Sequence, residues 1–408
     1  MTALIVLAAA FPARAQDALG QPAPQREPGT VATWDKRPTF RLGENSRIEI
    51  HARLQTDYLV RNEADPDAAA LPFDDRLSLP RKRVGVEGVL FGRVSFQVER
   101  EIDDQRPWRD VFADVRITRA LQVRAGHFKV PFSLEQLTSA TELDFIARAA
   151  AVSELSPSRD LGVMLHGRVA QRALKYEAGL FEADGTTRLW AADAVRTLAS
   201  RITVAPLQDG DTRGSDALEL SAAWLRSDLP EGRDGLNGHT AVGETFFRRM
   251  FVSGTRTRIG ASVAWNGPRA SVRSELLWSS DTRIGQGVDG STLSDLVSTG
   301  GYVAGIWHLV DRGSGKGDFP LRALDLTARF DRLSFGSGAA DEPFLNPRAD
   351  HVAPIGKDAW TAGINWHLNR WVKVQANAVR EQLTDPLALL PLSATPWWSA
   401  VVRFQVAM

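Results

Sequence analysis

Basic residues in the first third of the chain recur on the polar side of short alternating segments, or directly after one. The set comprises Arg53, Arg93, Arg116, Arg124 and Lys129. A guanidinium group donates two parallel hydrogen bonds to two oxygens of a phosphate or carboxylate, and a lysine adds a compact positive charge. Gathered at a narrow, partly dehydrated point, where charge is least screened, such a cluster would favour anions. These residues therefore suggest a constriction that selects anions.

The total charge gives this hypothesis no support, because Lys plus Arg and Asp plus Glu are equal at 49 each. A neutral chain has no overall basic character that would recruit nucleic acid, so we expect no nucleic-acid partner. Any electrostatic function must depend on placement. Acids share the polar faces with the bases, and we expect close pairs such as Asp114 with Arg116 and Arg273 with Glu275 to neutralise each other.

Catalytic and metal-binding patterns are missing from the sequence. The seven histidines are scattered singly, and neither H-E-x-x-H nor G-x-S-x-G occurs. The chain has no cysteine, which excludes disulfides and thiolate metal sites. We predict a protein that is not an enzyme and that has no metal site and no cofactor.

Strict alternation of polar and apolar residues predicts the elements that carry the basic residues. RIEIHARLQTDYLV (residues 47–60) places apolar side chains on one face and charged or polar side chains on the other, as expected of a β-strand. About sixteen such segments follow one another, many near the ~10 residues that cross a bilayer at a tilt. A soluble sandwich also alternates, but tight turns and long polar loops connect these segments in turn, as in a barrel. We predict an all-β, transmembrane antiparallel β-barrel over residues 46–408.

The N-terminal region predicts export. Residues 3–11 are apolar and precede Ala13-Arg14-Ala15, an A-x-A cleavage pattern. We predict a signal peptide over residues 1–15 and a flexible, Pro-rich leader over residues 16–45. Together with the strands, this predicts location in a bacterial outer membrane, in contact with its lipid.

One long segment, residues 128–158, lacks the alternation and carries Pro131 and Pro157. A segment of this length inside a compact fold is usually functional. A barrel of about sixteen strands has a wide, water-filled lumen, and we predict that this segment folds inward as a constriction loop.

The same segment resembles a known family. GHFKVPFSLEQLTSATELDFIARA (residues 126–149), followed by PSRDLGV (residues 157–163), is similar to the characteristic region of the phosphate-selective porin O and P family. The resemblance implies a sixteen-stranded outer-membrane channel, usually a homotrimer, that passes phosphate or polyphosphate over basic residues at a constriction. Lys129, Arg148 and Arg159 are the basic positions within the matching motif, and the resemblance implies that they line the pore.

Two functions remain open from the sequence. The first is passive diffusion of small anions, such as phosphate, past the basic cluster. The second is a general or sugar-type porin with little charge selectivity, which the mixture of acids and bases on the polar faces favours.

Overall fold

Sixteen of the eighteen strands of one antiparallel sheet close into a barrel. The computed structural model describes residues 31–34, 37–61, 77–102, 107–170, 173–183, 196–206, 217–241, 243, 245–310, 323–337, 346–385 and 396–408. The predicted signal peptide and residues 16–30 of the predicted leader lie outside these residues.

The barrel strands are β3 (Ser46–Arg61), β4 (Leu77–Leu90), β5 (Val94–Glu101), β6 (Trp108–Arg116), β7 (Gln122–Lys129), β8 (Arg159–Val169), β9 (Leu174–Phe181), β10 (Thr197–Val204), β11 (Ala217–Asp234), β14 (Phe251–Asn266), β15 (Ala270–Arg283), β16 (Leu293–Val310), β17 (Ala323–Ser337), β18 (Val352–His367), β19 (Val372–Thr384) and β20 (Trp397–Ala407). The remaining elements are β1 (Val31–Trp34), β2 (Pro38–Leu42), α1 (Leu134–Leu137), α2 (Ala150–Leu155), β12 (Gly238–His239) and β13 (Thr245–Phe247).

Pairing of the last barrel strand with the first closes the sheet. β20 pairs with β3 from Ala407 opposite Arg53 to Ala400 opposite Val60. Closure matters because an open strand edge in hydrocarbon would leave its backbone N–H and C=O groups without partners. The prediction of a closed antiparallel barrel is confirmed.

The alternation in the sequence separates the two faces of the wall. In β3, His51 and Gln55 point inward and are buried, whereas Leu54 and Tyr58 on the other face are exposed. The same period of two runs through the other strands, so the apolar side chains form the outer face. Within the described residues, no helix is both long and apolar enough to span a bilayer.

The two ends of the barrel differ in their connections. Three residues join β4 to β5 and three join β14 to β15, at what we call the short-turn end. Residues 130–158 join β7 to β8 at the opposite, long-loop end. In outer-membrane barrels the short turns face the periplasm and the long loops face the outside.

The predicted flexible leader is partly wrong. β1 and β2 lie within residues 16–45, and Phe40 of β2 pairs with Ile48 of β3. β20 ends opposite Arg53, so the N-terminal residues of β3 have a free edge, and β2 pairs with this edge. An extended, Pro-rich sequence can supply an edge strand of this kind.

Candidate functional site

The segment between β7 and β8 forms the constriction loop (residues 130–158). Pro131 has no backbone N–H to donate to a sheet and follows the last residue of β7 closely. Ser133 then begins helix α1, because its Oγ accepts a hydrogen bond from the backbone N–H of Gln136 at 3.1 Å. The sequence therefore ends the strand and turns the chain inward within a few residues.

The middle of the constriction loop crosses the lumen and is hydrogen-bonded to strands on the opposite side. These bonds run from Asn365 Nδ2 to Asp144 O (2.9 Å), from Lys373 Nζ to Thr141 O (3.0 Å), from Gln375 Nε2 to Leu143 O (3.1 Å), from Arg403 Nη1 to Ile146 O (3.1 Å) and from Ile146 N to Asn377 Oδ1 (2.7 Å). Backbone groups that leave the sheet need such partners when they are buried. We call the inner face of β14–β20 the anchoring wall.

Apolar side chains of the constriction loop pack against the anchoring wall. Helix α2 packs against β15, β16 and β17, with Leu155 buried in one cluster with Leu296 and Leu333. Phe247, from the segment between β11 and β14, joins this cluster and stacks on Phe335 with ring centroids 4.3 Å apart. In the described residues, this half of the barrel is closely packed around α2, and a cavity of only about 130 Å³ lies between the loop and the wall beside it.

The other half contains a cavity of about 830 Å³ between the constriction loop and the inner face of β3–β9, which we call the basic wall. Ten of the described residues that line it are basic: Arg53, Arg81, Arg83, Arg109, Arg124, Lys129, Arg148, Arg159, Arg168 and Lys175. Three are acidic: Glu87, Asp110 and Glu177. Basic residues therefore outnumber acidic residues in the lining of this cavity, although the chain is neutral.

Strand register places basic residues directly opposite each other on the basic wall. Lys129 is paired with Arg159 near the long-loop end, and Arg168 is paired with Lys175 near the short-turn end. Between these levels Arg53 is opposite Arg83. Like charges in such positions are destabilising by ~0.2–1 kcal/mol per pair. Folding alone would not favour this arrangement at three levels of one cavity, so it points to a function that needs positive charge.

Carboxylates partly balance six of these bases. The ion pairs are Arg53–Glu99 (3.1 Å), Arg83–Glu101 (2.6 Å), Arg109–Glu101 (3.4 Å), Arg124–Asp114 (2.7 Å), Arg159–Asp110 (2.7 Å) and Lys175–Glu177 (2.8 Å). Each acid holds a guanidinium or ammonium group in place beside the cavity. The pairs lower the positive charge without removing it.

Three bases that line the cavity bind neutral oxygens within the described part of the chain. Arg81 donates to Gln55 Oε1 at 2.6 Å. Lys129 Nζ donates to the carbonyl oxygens of Leu137 and Thr138, each at 2.9 Å. Arg148, from the constriction loop, donates to the carbonyl oxygen of Thr138 at 3.4 Å and to that of a residue in α1. In these hydrogen bonds, neutral oxygens and not carboxylates hold the three bases beside the cavity.

Burial shifts the ionisation of two constriction-loop residues. It lowers the pKa of Arg148, and the nearby charge of Arg159 adds to this effect. Burial also raises the pKa of Glu135 to about 7, against the opposing effect of Arg329. The Glu135 carboxylate accepts a hydrogen bond from the backbone N–H of Ala149 at 2.9 Å, so it links the two halves of the loop.

A second cavity of about 260 Å³ lies at the short-turn end. Its lining includes Arg37 and Arg370 together with Met408 at the C-terminus. Arg53 lines both cavities. This arginine therefore lies between the larger cavity and the cavity at the short-turn end.

Of the seven site residues predicted from the sequence, the structure brings five together. Arg53, Arg124, Lys129, Arg148 and Arg159 line the larger cavity. Arg93 and Arg116 do not line it. Both are exposed at the short-turn end, where Arg116 donates to the carbonyl oxygen of Gly92. Alternation gives the face on which a side chain lies but not its height along the barrel. The sequence therefore predicted Arg93 and Arg116 as constriction residues although they lie at one end of the barrel.

Sequence reasoning missed Arg81, Arg83 and Arg109, although RKRVGV (residues 81–86) contains a signal. Val84 and Val86 point outward, so Arg83 and Arg81 must point inward. The expected internal pairs were also wrong. Asp114 binds Arg124 and His166. Arg273 binds Asp144 of the constriction loop, and Glu275 binds backbone groups of the same loop. Neighbours on adjacent strands are closer than residues two apart on one strand.

A closed barrel with an apolar outer face, a charged lumen and an inward-folded loop defines a transmembrane β-barrel protein. Solved structures share the fold at low sequence identity. The anion-selective porin from Comamonas acidovorans is 14% identical, with 89% of this chain and 100% of that chain covered and a TM-score of 0.55. OmpT of Vibrio cholerae in its trimer form is 12% identical, with 90% and 100% covered and a TM-score of 0.57. The outer-membrane channel DcaP of Acinetobacter baumannii is 10% identical, with 89% and 98% covered and a TM-score of 0.54.

The sequence model of the phosphate-selective porin O and P family matches residues 48–386, which is most of the chain. The chain belongs to this family, and it is an outer-membrane porin, a channel rather than an enzyme. The resemblance seen in residues 126–163 is confirmed. No curated protein sequence matches the chain.

Proposed function

We propose that the porin passes small anions preferentially and that phosphate and short polyphosphates are among its solutes. The observation that carries this proposal is the lining of the larger cavity, with ten basic and three acidic residues. In a confined space bounded by protein, the fields of these charges add and raise the local anion concentration. The family's description as phosphate-selective supports the choice of solute.

The decisive experiment is a measurement of reversal potential across a planar lipid bilayer that separates two KCl concentrations. We expect chloride to be the more permeant ion by about fivefold, which corresponds to ~1 kcal/mol, the interaction of two charges 4 Å apart in water. Phosphate at millimolar concentration should reduce the chloride current by occupying the same cavity. A preference for potassium would contradict the proposal.

The alternative is a general or sugar-type porin with little charge preference. The six ion pairs on the basic wall favour it, because paired bases attract anions less strongly. A reversal potential near zero, with chloride current unchanged by phosphate, would support this alternative.

We further propose that the mature protein lacks residues 1–15 and assembles as a homotrimer in the outer membrane. The Ala13-Arg14-Ala15 pattern supports cleavage, and the shared fold of trimeric OmpT supports the assembly. N-terminal sequencing of the protein from outer membranes, and its migration on gels before and after boiling, would test the two statements.

A further inference from the structure

Glu275 lies near the middle of β15, on the anchoring wall, and its side chain is almost fully buried. Its carboxylate accepts three hydrogen bonds from the start of the constriction loop. The donors are Leu134 N (2.7 Å), Glu135 N (2.9 Å) and Ser133 Oγ (3.0 Å). A strand on one side of the barrel thus holds helix α1 of a loop that begins on the other side.

The segment held by Glu275 also holds bases of the cavity. The carbonyl oxygens of Leu137 and Thr138, at the end of α1, accept the hydrogen bonds of Lys129. The carbonyl oxygen of Glu135, whose N–H is bound to Glu275, accepts a hydrogen bond from Arg148 at 3.2 Å. Only one turn of helix therefore separates the Glu275 carboxylate from the groups that orient these two cations.

The other anchors hold a different part of the loop. Asn365, Lys373, Gln375 and Asn377 bind residues 141–146, beyond the end of α1. Near α1, Arg329 of the anchoring wall forms an ion pair with the Glu135 side chain at 3.3 Å, and Arg201 of β10 donates a hydrogen bond to the carbonyl oxygen of Phe132. Neither of these contacts binds the backbone N–H groups at the start of α1. Loss of the Glu275 carboxylate would leave buried donors of α1 without acceptors, a cost that favours movement of α1 toward the cavity and its solvent.

We propose that Glu275 is a positioning residue for selectivity: it fixes α1, and through α1 it sets the width of the cavity and the orientation of Lys129 and Arg148. A carboxyl group suits this role because both of its oxygens accept hydrogen bonds from the start of the loop. This inference rests on the proposed preference for anions.

The test compares Glu275→Ala and Glu275→Gln with Asp281→Asn, a control on the same strand. Asp281 is equally buried, but its carboxylate binds Arg256 of the neighbouring strand instead of the constriction loop. Each protein is refolded, and its chloride-to-potassium permeability ratio and single-channel conductance are measured. Because the chain has no cysteine, Ser139→Cys can carry a single nitroxide label whose mobility reports the position of the loop.

We expect Glu275→Ala to lower the permeability ratio about threefold, to raise the conductance and to make the nitroxide more mobile. Glu275→Gln keeps one acceptor oxygen and should give intermediate values, and it serves in place of the alanine variant if that variant does not fold. Asp281→Asn should match wild type in all three measurements. A wild-type ratio and an immobile nitroxide in the Glu275 variants would overturn the positioning role.

The same measurements separate the failure of this inference from failure of the proposed function. If wild-type protein shows no preference for chloride, the anion function fails. Conductance and nitroxide mobility then still decide whether Glu275 fixes α1 and the width of the cavity.

Discussion

On the anchoring wall, Arg256 of β14 is directly opposite Asp281 of β15, whereas on the basic wall Arg53 of β3 is directly opposite Arg83 of β4. The first pair is almost completely inaccessible to solvent, with a hydrogen bond of 2.7 Å from Arg256 Nε to Asp281 Oδ1. The second pair borders the larger cavity. Inward-facing arginines are thus neutralised by an opposite acid on one wall and placed opposite another arginine on the other wall.

This difference shows where stability and selectivity reside. On the anchoring wall, charges are neutralised by neighbours, and polar side chains bind the backbone of the constriction loop. On the basic wall, repulsion between like charges weakens the sheet. Acids such as Glu99 and Glu101 offset only part of this repulsion by forming ion pairs with Arg53 and Arg83. Substitutions on the two walls should therefore differ in what they change.

The largest effect on stability is expected from Asp281→Ala, which leaves Arg256 buried without this carboxylate. The loss should be about 3–5 kcal/mol, as is usual when one partner of a buried ion pair is removed. Asp358→Ala is the matched control, because its partner Arg332 is exposed and bound at 2.6 Å, and it should cost about 0–1 kcal/mol. Denaturant unfolding of the refolded proteins measures both. Equal losses in the two variants would contradict the distinction between buried and exposed pairs.

The second effect concerns pH and Glu135 of the constriction loop. Burial raises the pKa of this carboxyl to about 7, so the protonated form is favoured in the folded protein. Its stabilising contribution is complete below the unfolded pKa near 4.5 and is lost as the pH rises through about 7. The stability of wild type relative to Glu135→Gln should therefore fall between pH 5 and pH 8, by up to about 3 kcal/mol. Unfolding curves at several pH values measure the difference, and a constant difference would exclude the raised pKa.

The third effect separates cavity charge from total charge. The double variant Lys129→Glu with Arg148→Glu places two acids in the cavity and should lower the chloride-to-potassium permeability ratio about tenfold, or ~1.4 kcal/mol. Arg93→Glu with Arg116→Glu changes the net charge equally, but these residues are exposed at the short-turn end. The ratio of this control should stay near that of wild type. Equal effects of the two variants in planar bilayers would mean that overall charge, and not the basic wall, sets selectivity.

Arg93 and Arg116 also show which features of this structure the sequence predicts and which it does not. Alternation predicted the strands, their two faces and the barrel, because each side chain on a strand points away from its neighbours. It could not predict height along the barrel or which residues are opposite each other, since both depend on register. In β3 and β4 the register shifts between Gln55 and Asp57, and the sequence does not display such a shift.

The constriction loop shows the same limit. Pro131 and the loss of alternation predicted where it begins, and the family resemblance predicted that it matters. The sequence does not show which wall of the barrel the loop packs against. That wall is set by contacts with residues more than 100 positions away, such as Glu275 and Asn377. The basic wall was therefore predictable as a set of inward-facing residues, but not as one side of a cavity.

The smallest expected effect on stability compares a like-charge pair with an opposite-charge pair, both within the basic wall. Arg168 is paired across strands with Lys175, so Arg168→Gln should stabilise the barrel by about 0.2–1 kcal/mol through loss of repulsion. Arg124 is paired across strands with Asp114 and bound to it at 2.7 Å, so Arg124→Gln should destabilise it by a similar amount. Both variants remove one positive charge from the cavity, and both should weaken the preference for chloride. Opposite signs in denaturant unfolding, with the same direction of change in reversal potential, would show that like-charge pairs lower stability while they supply the positive field.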